Sequence, residues 1–318
     1  MIGKVSFLAL CLFCVASVHA QSSYPEKPVR LLVGFSAGGP TDLPARFLAD
    51  RLSTLLGQRV VVENRPGAGG QLGTQEVLSK PRDGYNLLLC THFEAINAAV
   101  YRHVPYKLSD LAPISQISRY YYGVAATLHM PPQDWDAFLP YAKANPSQIN
   151  YVSMGRGSAQ EILALELGKL TGIDMTEIPY KNSADVTNDL LSGRVQLYVA
   201  PTLQVVPQYQ AGKLKLLAVS SPERLAAAPE VPTLREKGVP FVRFGWLGVC
   251  AGAGTSPAIV NKLNRDIATI VASPEYKEMI GKSGSVPVSS SPEELERVLM
   301  ETYEQTARVS REFGVYVE

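Results

Sequence analysis

Two glycine-rich loops carry the groups in this sequence that are best suited to binding an anion. The first loop, residues 35–42, reads FSAGGPTD, and the second, residues 153–159, reads SMGRGSA. Each follows an apolar run typical of a strand and leads into a segment with helical periodicity. Backbone N–H groups at such turns point outward at the positive end of a helix dipole, which favours a bound anion. Two such loops in different halves of the chain predict an anion held between two lobes.

The elements that would position these loops alternate along the chain. Apolar runs predict strands at 29–35, 60–63, 86–90, 149–153, 173–178, 195–199 and 214–219, and residues at helical spacing fall between them. This alternation predicts an α/β protein with parallel sheets covered by helices on both faces. About 300 residues exceed one comfortable hydrophobic core, so two lobes are expected.

The boundaries between the lobes are predicted from two interruptions of this rhythm, at 120–123 and at 239–245. The tail has helical runs at 257–271, 274–280 and 292–311 but no strand-rich unit of its own, so it is expected to return to the first lobe. The predicted division is lobe 1 at 21–123 and 242–318, and lobe 2 at 124–241. Two chain crossings of this kind allow the lobes to hinge over a ligand.

The first twenty residues have the layout of a secretory signal. Lys4 precedes an apolar run from Val5 to Val15, and Val18-His19-Ala20 stands before Gln21. The run is shorter than the ~20 residues that a membrane span needs. A lipoprotein signal at Cys14 is less consistent, because bulky Phe13 precedes that cysteine. We therefore expect cleavage after Ala20 and export of a soluble protein.

The mature chain would carry no net charge. The sequence has 30 basic and 29 acidic residues, and cleavage removes one basic residue, Lys4, which leaves 29 of each. A neutral chain has no overall field to hold nucleic acid or an anionic membrane, so any anion site must be local. Cys90 and Cys250 would remain, and both a disulfide and two buried thiols are consistent with their apolar surroundings.

Several motifs in order along the chain resemble one family. They are YPxKPVR at 24–30, GGxTD at 38–42, VVENRPGAGG at 61–70, DGY at 83–85, PYK at 179–181 and AGKL at 211–214. The chain resembles Bug-type, TctC-like periplasmic solute-binding proteins of tripartite tricarboxylate transporters. The resemblance implies a type II periplasmic binding protein fold, in which two α/β lobes enclose a ligand cleft. It also implies the capture of a small carboxylate for two membrane subunits. No cofactor or metal is expected, and a monomer is expected because hinge closure and transient docking favour a free surface.

The resemblance also implies which residues bind the ligand. In the two loops they are Ser36, Ala37, Gly38, Gly39, Thr41, Gly155, Arg156, Gly157 and Ser158. Asn64, Thr91 and Lys181 are expected to assist from neighbouring loops. Asp42 is expected to cap a helix or tie the first loop, because a carboxylate would repel the ligand.

Both loops depart from the family pattern. Ser36 and Ala37 stand where two prolines are common. Arg156 occupies a polar position and offers a planar fork to a carboxylate, although a solvated surface arginine is the alternative. Glu161 replaces a histidine and is expected in the first helical turn. There its negative charge would interact favourably with the helix dipole or pair with Arg156.

The far end of the ligand is predicted from a missing acid and from aromatic residues. Family members tend to carry an acidic residue after the strand predicted at 195–199, and some of them use it to bind an ammonium group. This chain has Ala200 there, followed by a proline and Thr202. The missing acid argues against an amino acid ligand. His92 and Phe93 are expected in a cleft loop. Alternation in a strand lets Tyr120 and Tyr122, or Tyr121 alone, face the ligand, with packing between the lobes as the alternative.

These features favour an aromatic mono- or dicarboxylate such as terephthalate as the ligand. An aliphatic di- or tricarboxylate is the alternative, and a periplasmic receptor that signals to a sensor protein is a further one. An enzyme is not expected. The three histidines after the signal, His92, His103 and His129, lack the spacing of a helical metal pair, and no G-x-S-x-G elbow occurs.

Overall fold

A computed structural model describes residues 24–146, 148–180, 183–282 and 284–318. The predicted signal at 1–20 and Lys181 lie outside the described residues. The strands are β1 Val29–Val33, β2 Val60–Asn64, β3 Asn86–Thr91, β4 Leu111–Ala126, β5 Asn150–Ser153, β6 Thr176–Pro179, β7 Leu197–Pro201, β8 Lys215–Val219, β9 Phe244–Gly252 and β10 Ser285–Pro287. The α-helices are α1 Asp42–Leu56, α2 Gln71–Leu78, α3 His92–Val100, α4 Trp135–Ala144, α5 Ala159–Thr171, α6 Ser183–Ser192, α7 Thr202–Gln210, α8 Pro257–Val271, α9 Pro274–Gly281 and α10 Pro292–Phe313.

The first group of strands lies in the order β2-β1-β3-β9-β4, with β10 beside β4. β2, β1 and β3 are parallel, whereas β9 runs antiparallel to both β3 and β4. Apolar side chains of β1 and β3 pack against α1 and α8 in a core that contains Leu31, Leu48 and Ile267. The C-terminal helices α8, α9 and α10 pack against this first group of strands.

The second group contains β6, β5 and β7, which are parallel, and β8, which pairs with β4. β7 and β8 both run antiparallel to the C-terminal half of β4. The prediction of wholly parallel sheets was wrong, because the long strands β4 and β9 run back through the middle of the structure. An antiparallel strand buried on both faces has the same continuous apolar pattern as a parallel one.

Strand β4 joins the two lobes. Its residues pair with β9 as far as Tyr121 and with β7 from Tyr122 onward. The same 16-residue strand thus contributes to both sheets. A continuous strand through the crossing fixes where the tyrosine side chains point, because successive residues alternate between the two faces.

Cys90 and Cys250 form a disulfide between β3 and β9. Their Cα atoms are 5.8 Å apart, and both residues are fully buried. The bond joins positions separated by 160 residues, so it fastens the C-terminal return of the chain to the first lobe.

The glycine-rich motif at 61–70 allows two backbones to approach closely behind the first loop. A Cβ on Gly34 would lie 3.0 Å from the Cα atom of Gly70, and Gly70 itself adopts a φ of 95°. Glycine at Gly34 permits this close approach, and glycine at Gly70 permits that backbone conformation. The motif therefore supports the turn after β1 from behind.

Helices α5 and α10 bring the lobes together on one side. Ile162 of α5 and Val309 of α10 belong to one apolar cluster with Ile96 and Val100 of α3. Ion pairs flank this cluster, one between Lys169 and Glu312 and one between Arg243 and Glu166. These contacts place the start of α5 against the C-terminal half of α3.

Candidate functional site

A cleft of about 460 Å³ lies between the lobes. Its wall is built from the first loop, the starts of several helices, and the middle of β4. The lining residues are Phe35, Gly38, Gly39, Pro40, Thr41, Leu43, Pro44, Thr91, His92, Phe93, Ser118, Tyr120, Tyr122, Ala159, Gln160, Pro201, Leu203, Gln204, Leu247, Met279, Ile280 and Ser285.

Four helices present their N-termini to this cleft. They are α1 and α3 from the first lobe and α5 and α7 from the second, and residues at the start of each lie in the wall. Helix α7 has no side-chain cap, so the first-turn amides of Leu203 and Gln204 have no partner within the helix. Carboxylates already lie in the first turns of α1, α3 and α5, at Asp42, Glu94 and Glu161, so the uncapped end of α7 is the helix terminus whose dipole most favours a negative charge in the cleft.

The first loop is held by Asp42, as the sequence predicted. Its carboxylate accepts hydrogen bonds from the Gly38 amide at 2.9 Å, from Arg46 Nε at 2.7 Å and from Asn64 Nδ2 at 3.0 Å. Burial alone would raise the pKa of Asp42, but these hydrogen bonds outweigh it and lower the pKa below its usual value. Asp42 is therefore ionised at neutral pH and fixes the shape of the loop.

This network changes the roles expected for several residues of the first loop. Asn64 also donates to the Phe35 carbonyl, so its amide supports the loop and does not reach the cleft. Ser36 and Ala37 are exposed and lie outside the cleft wall. Gly38 lines the wall, but its amide is used by Asp42. Thr41 keeps a buried hydroxyl without a hydrogen-bond partner among the described residues.

The second loop is satisfied internally. The Gly155 amide donates to Ser153 Oγ, the Gly157 amide to Glu161 Oε2 at 2.6 Å, and the Ser158 amide to the Gly155 carbonyl. The expectation that these amides converge on a ligand is therefore corrected. Ser158 instead caps α5, and the wall receives the next two residues of that helix, Ala159 and Gln160.

Glu161 lies in the first turn of α5, where it binds the Gly157 amide and lies 3.7 Å from the Arg156 guanidinium. The expected position in the first helical turn and the expected pairing with Arg156 are both confirmed. Burial raises the pKa of Glu161, which the Gly157 hydrogen bond and Arg156 oppose. Its carboxylate occupies the loop amides that a ligand would otherwise use.

Arg156 does not line the cleft. Its guanidinium donates to the Gly314 carbonyl beyond α10, and its side chain is 55% exposed. The expected contact between Arg156 and a ligand carboxylate is therefore corrected, because the side chain turns toward the C-terminal segment.

Replacing Arg156 with alanine is expected to change ligand affinity by no more than about fivefold. The substitution removes exposed contacts worth ~0–1 kcal/mol and leaves the cleft wall intact. Calorimetric titration of the variant beside the wild type measures this. A loss of a hundredfold would place the guanidinium on the ligand in the bound state.

The segment at the end of β7 also differs from the expectation. Ala200 lies inside β7, is fully buried in the core of the second lobe, and does not line the cleft. Thr202 is buried and donates to the Gly284 carbonyl, which connects the second lobe to the segment before β10. Pro201, Leu203 and Gln204 form the wall in their place.

A cluster of aromatic rings forms one part of the wall. The ring of His92 lies 4.3 Å from that of Phe93 and 5.6 Å from that of Tyr120, measured between centroids. Phe93 also contacts Phe35, and Tyr120 contacts Tyr122. These rings offer an apolar, flat surface to one side of the cleft.

The strand and helix around this cluster explain its arrangement. Alternation along β4 turns Tyr120 and Tyr122 into the cleft, whereas Tyr121 packs against Phe244. His92 and Phe93 are the first residues of α3 and do not form the expected loop. Thr91 lines the wall, and its hydroxyl caps α3 by accepting from the Phe93 amide at 3.1 Å.

Burial lowers the pKa of His92 to about 4. A hydrogen bond to the Trp246 backbone carbonyl opposes this effect but is outweighed. The imidazole is therefore neutral throughout the ordinary range of pH, and it brings no positive charge to the cleft.

None of the described residues in the cleft wall has a charged side chain. Within the same described ranges, no group of three or more His, Cys, Asp or Glu side chains is placed to hold a metal. No helix within these ranges has the length and apolar character needed for a membrane span. Charge recognition in the cleft must then come from backbone amides, hydroxyls and helix dipoles.

Several wall residues were not predicted from the sequence. Gln160, Gln204, Ser118, Met279 and Ser285 come from helices and strands that the two-loop interpretation did not connect to the cleft. Gln160 and Gln204 follow strand ends by a few residues, and this spacing is the one sequence signal that could have indicated them.

Comparisons with known proteins show the family of this chain. Residues 44–315 match the family described as "Tripartite tricarboxylate transporter family receptor". The chain is 34% identical over 304 residues to Protein BugT of Bordetella pertussis, covering 94% of this chain and 93% of BugT.

Two solved structures from Rhodopseudomonas palustris are similar along nearly the whole chain. Rpa4515 with adipate has a TM-score of 0.80 at 30% identity and covers 92% of this chain and 99% of its own. MatC with bound malate has a TM-score of 0.76 at 27% identity, with 90% and 99% covered. The predicted family and the predicted two-lobe periplasmic binding protein fold are confirmed. The chain therefore belongs to the tripartite tricarboxylate transporter receptor family of periplasmic solute-binding proteins.

Proposed function

We propose that this protein captures a small carboxylate with an aromatic body and delivers it to the membrane subunits of a tripartite tricarboxylate transporter. One observation carries the proposal: an uncharged cleft combines four helix N-termini with a cluster of aromatic rings. The helix ends suit a carboxylate, and the rings suit a flat apolar body.

The carboxylate is held by neutral donors. The first-turn residues of α5 and α7 line the wall from the second lobe, where their amides can donate to a carboxylate. Each such donor gains strength when closure removes water, because the local dielectric falls. Thr41 lines the wall from the first lobe, but its hydroxyl is fully buried and would reach a ligand only if closure moved the first loop.

The aromatic body is supported by the ring cluster and by the aliphatic side chains opposite, among them Leu203 and Met279. An aliphatic dicarboxylate is the second candidate. It is favoured by the two similar proteins whose structures contain adipate and malate.

Closure of the lobes follows from the chain path. β4 crosses between the lobes near Tyr121, and the chain returns just before β9. We propose lobe boundaries at Gly123 and Val242, between which the second lobe rotates. A ligand that contacts both lobes shifts the equilibrium toward the closed form by its differential affinity.

Processing and assembly belong to the same proposal. A signal cleaved after Ala20 would release the mature chain into the periplasm. The chain would act as a monomer, since docking to membrane subunits requires a free surface, and it would return its ligand chemically unchanged. Signalling to a sensor protein stays an alternative use of the same cleft.

Calorimetric titration of the mature protein, purified from the periplasm, tests the proposal. The ligands are benzoate, terephthalate, adipate, malate and glutamate, with benzamide as the matched neutral control for benzoate. We expect saturable binding of an aromatic carboxylate, no binding of benzamide, and recovery of unchanged ligand.

Binding of adipate or malate alone would support the second candidate and assign the rings to packing between lobes. Glutamate binding would contradict the argument from the missing acid. A folded protein that binds none of these carboxylates would contradict the proposed uptake function.

A further inference from the structure

We propose that the Ser118 hydroxyl and the N-terminus of α7 together bind the carboxylate of the ligand, which makes Ser118 a specificity-determining residue of the cleft. The inference rests on the proposed function, because it assumes that a carboxylate occupies the cleft. It applies equally to an aromatic and to an aliphatic carboxylate. Two independent observations carry it, a buried hydroxyl without a partner and a helix without a cap.

The Ser118 hydroxyl is buried but unpartnered. Ser118 lines the cleft although the residue is only 2% exposed. Within the described ranges, its hydroxyl forms no hydrogen bond. Unlike the Thr41 hydroxyl, which is enclosed by protein, it is accessible from the cleft. Buried hydroxyls in proteins are normally hydrogen-bonded, so this group is suited to a partner that enters the cleft.

Other hydroxyls of the described wall already have contacts. The Thr91 hydroxyl caps α3, and those of Tyr120 and Tyr122 lie within hydrogen-bond distance of the same imidazole. Ser285 has a partner of its own. A ligand oxygen can therefore bind the Ser118 hydroxyl without breaking an existing contact.

A β-bulge precedes Ser118. The pairing between β4 and β9 shifts its register between Gln116 and Ser118. Ile117, between them, packs in the same core cluster as Leu247, whereas Ser118 pairs with Leu247 and lines the cleft. Bulges of this kind re-aim side chains next to functional sites. Consecutive residues of β4 thus contribute to the core and to the cleft.

The uncapped start of α7 reaches the same part of the wall. The Thr202 hydroxyl donates to the Gly284 carbonyl at 3.3 Å, directly before β10. β10 then pairs with β4 at Tyr120 and, two residues on, at Ser118. Because Tyr120 and Ser118 lie on one face of β4, the start of α7 stands beside the part of the cleft that Ser118 lines.

Together these groups match the hydrogen-bonding needs of a carboxylate. A carboxylate only accepts hydrogen bonds, and both the serine hydroxyl and the first-turn amides of α7 can donate them. The dipole of α7 adds a favourable interaction with the negative charge. The aromatic rings around Phe93 then face the remaining part of the ligand.

Calorimetric titration of Ser118→Ala in the full mature protein tests the inference. The wild type is first titrated with benzoate, terephthalate, adipate and malate, and the carboxylate that binds most tightly is used for the variants. Ser118→Ala should weaken its binding by about tenfold to hundredfold, because a hydrogen bond to a charged group is lost. Without ligand, the variant should unfold at the same urea concentration as the wild type or a higher one, since the hydroxyl has no partner to lose.

Ser115→Ala is the matched control on the same strand. The Ser115 hydroxyl is fully buried, donates to the Gln116 carbonyl at 2.8 Å and accepts from the Ser290 amide at 3.2 Å, and the residue does not line the cleft. This variant should unfold at a lower urea concentration than the wild type, because buried partners lose a hydrogen bond, and its affinity should stay within about twofold.

The outcomes separate the inference from the proposed function. Unchanged affinity in Ser118→Ala would overturn the inference, while carboxylate binding by the wild type would still support uptake. Weaker binding together with a loss of stability like that of Ser115→Ala would assign Ser118 a structural role and would also overturn the inference. If the folded wild type binds none of the four carboxylates, the proposed function fails, and the inference fails with it.

Discussion

Replacing Gly245 with alanine is expected to lower ligand affinity by about 10- to 100-fold. Gly245 pairs with Tyr120 across β9 and β4, and the tyrosine ring lies directly over it. A Cβ at this position would stand 2.2 Å from Tyr120 Cζ and 2.4 Å from its hydroxyl oxygen. The Tyr120 ring must therefore move, and the open space beside it is the cleft that it lines.

The size of this effect follows from the general cost of overpacking. Extra methyl groups in a well-packed region cost ~1–3 kcal/mol, and here that cost falls on the residue that shapes the binding cleft. Calorimetric titration with the tightest ligand found for the wild type measures the loss.

Gly281→Ala is the matched control for this experiment. Gly281 ends α9 close to the same cleft, but a Cβ there meets no atom within 4 Å. We expect wild-type affinity in this variant. Unchanged affinity in Gly245→Ala as well would show that the ligand does not use the space beside Tyr120.

The second large effect concerns the dependence of stability on pH. The pKa of His92 is about 4 in the folded protein and 6.5 for an exposed histidine. Between these values the unfolded chain binds a proton that the folded protein does not bind. Stability therefore falls as the pH is lowered through this window, by about 3 kcal/mol in total for this one group.

Urea unfolding of the wild type and of His92→Gln at several pH values from 8 to 4 measures this contribution. The variant has no ionisable group at this position, so the difference between the two proteins should shrink as the pH falls. Comparing the two also removes contributions from other buried groups such as Glu94, whose pKa burial raises. Parallel curves for the two proteins would show that His92 is accessible to protons in the folded state.

The backbone of the first loop illustrates what local sequence can predict. GGPTD after a buried strand identified the turn, the helix that follows it, and the role of Asp42 in tying the loop. These features depend on residues within a few positions of each other. The same reasoning assigned Asn64 to the ligand. It missed the hydrogen bonds that Asn64 donates to Asp42 and to the Phe35 carbonyl, because these depend on how β2 lies beside β1.

Arg156 shows the opposite limit. The sequence presents an arginine between two glycines in an anion-binding type of loop, and its chemistry suits a carboxylate. Its direction is decided by the Gly314 carbonyl and by Glu161, of which the first is 158 residues away along the chain. A contact of this kind has no local signature.

The sequence by itself determined the family, the two-lobe α/β class and the alternation of the tyrosine run between two faces, because motif order and side-chain periodicity are properties of neighbouring residues. Tertiary structure alone decided that the cleft wall is uncharged and that the hydroxyls of Tyr120 and Tyr122 lie within 3.5 Å of His92 Nε2. It also decided which loop amides are already satisfied. These features arise where residues distant in sequence meet, and hydrogen-bond satisfaction depends on every group that is brought to the same place.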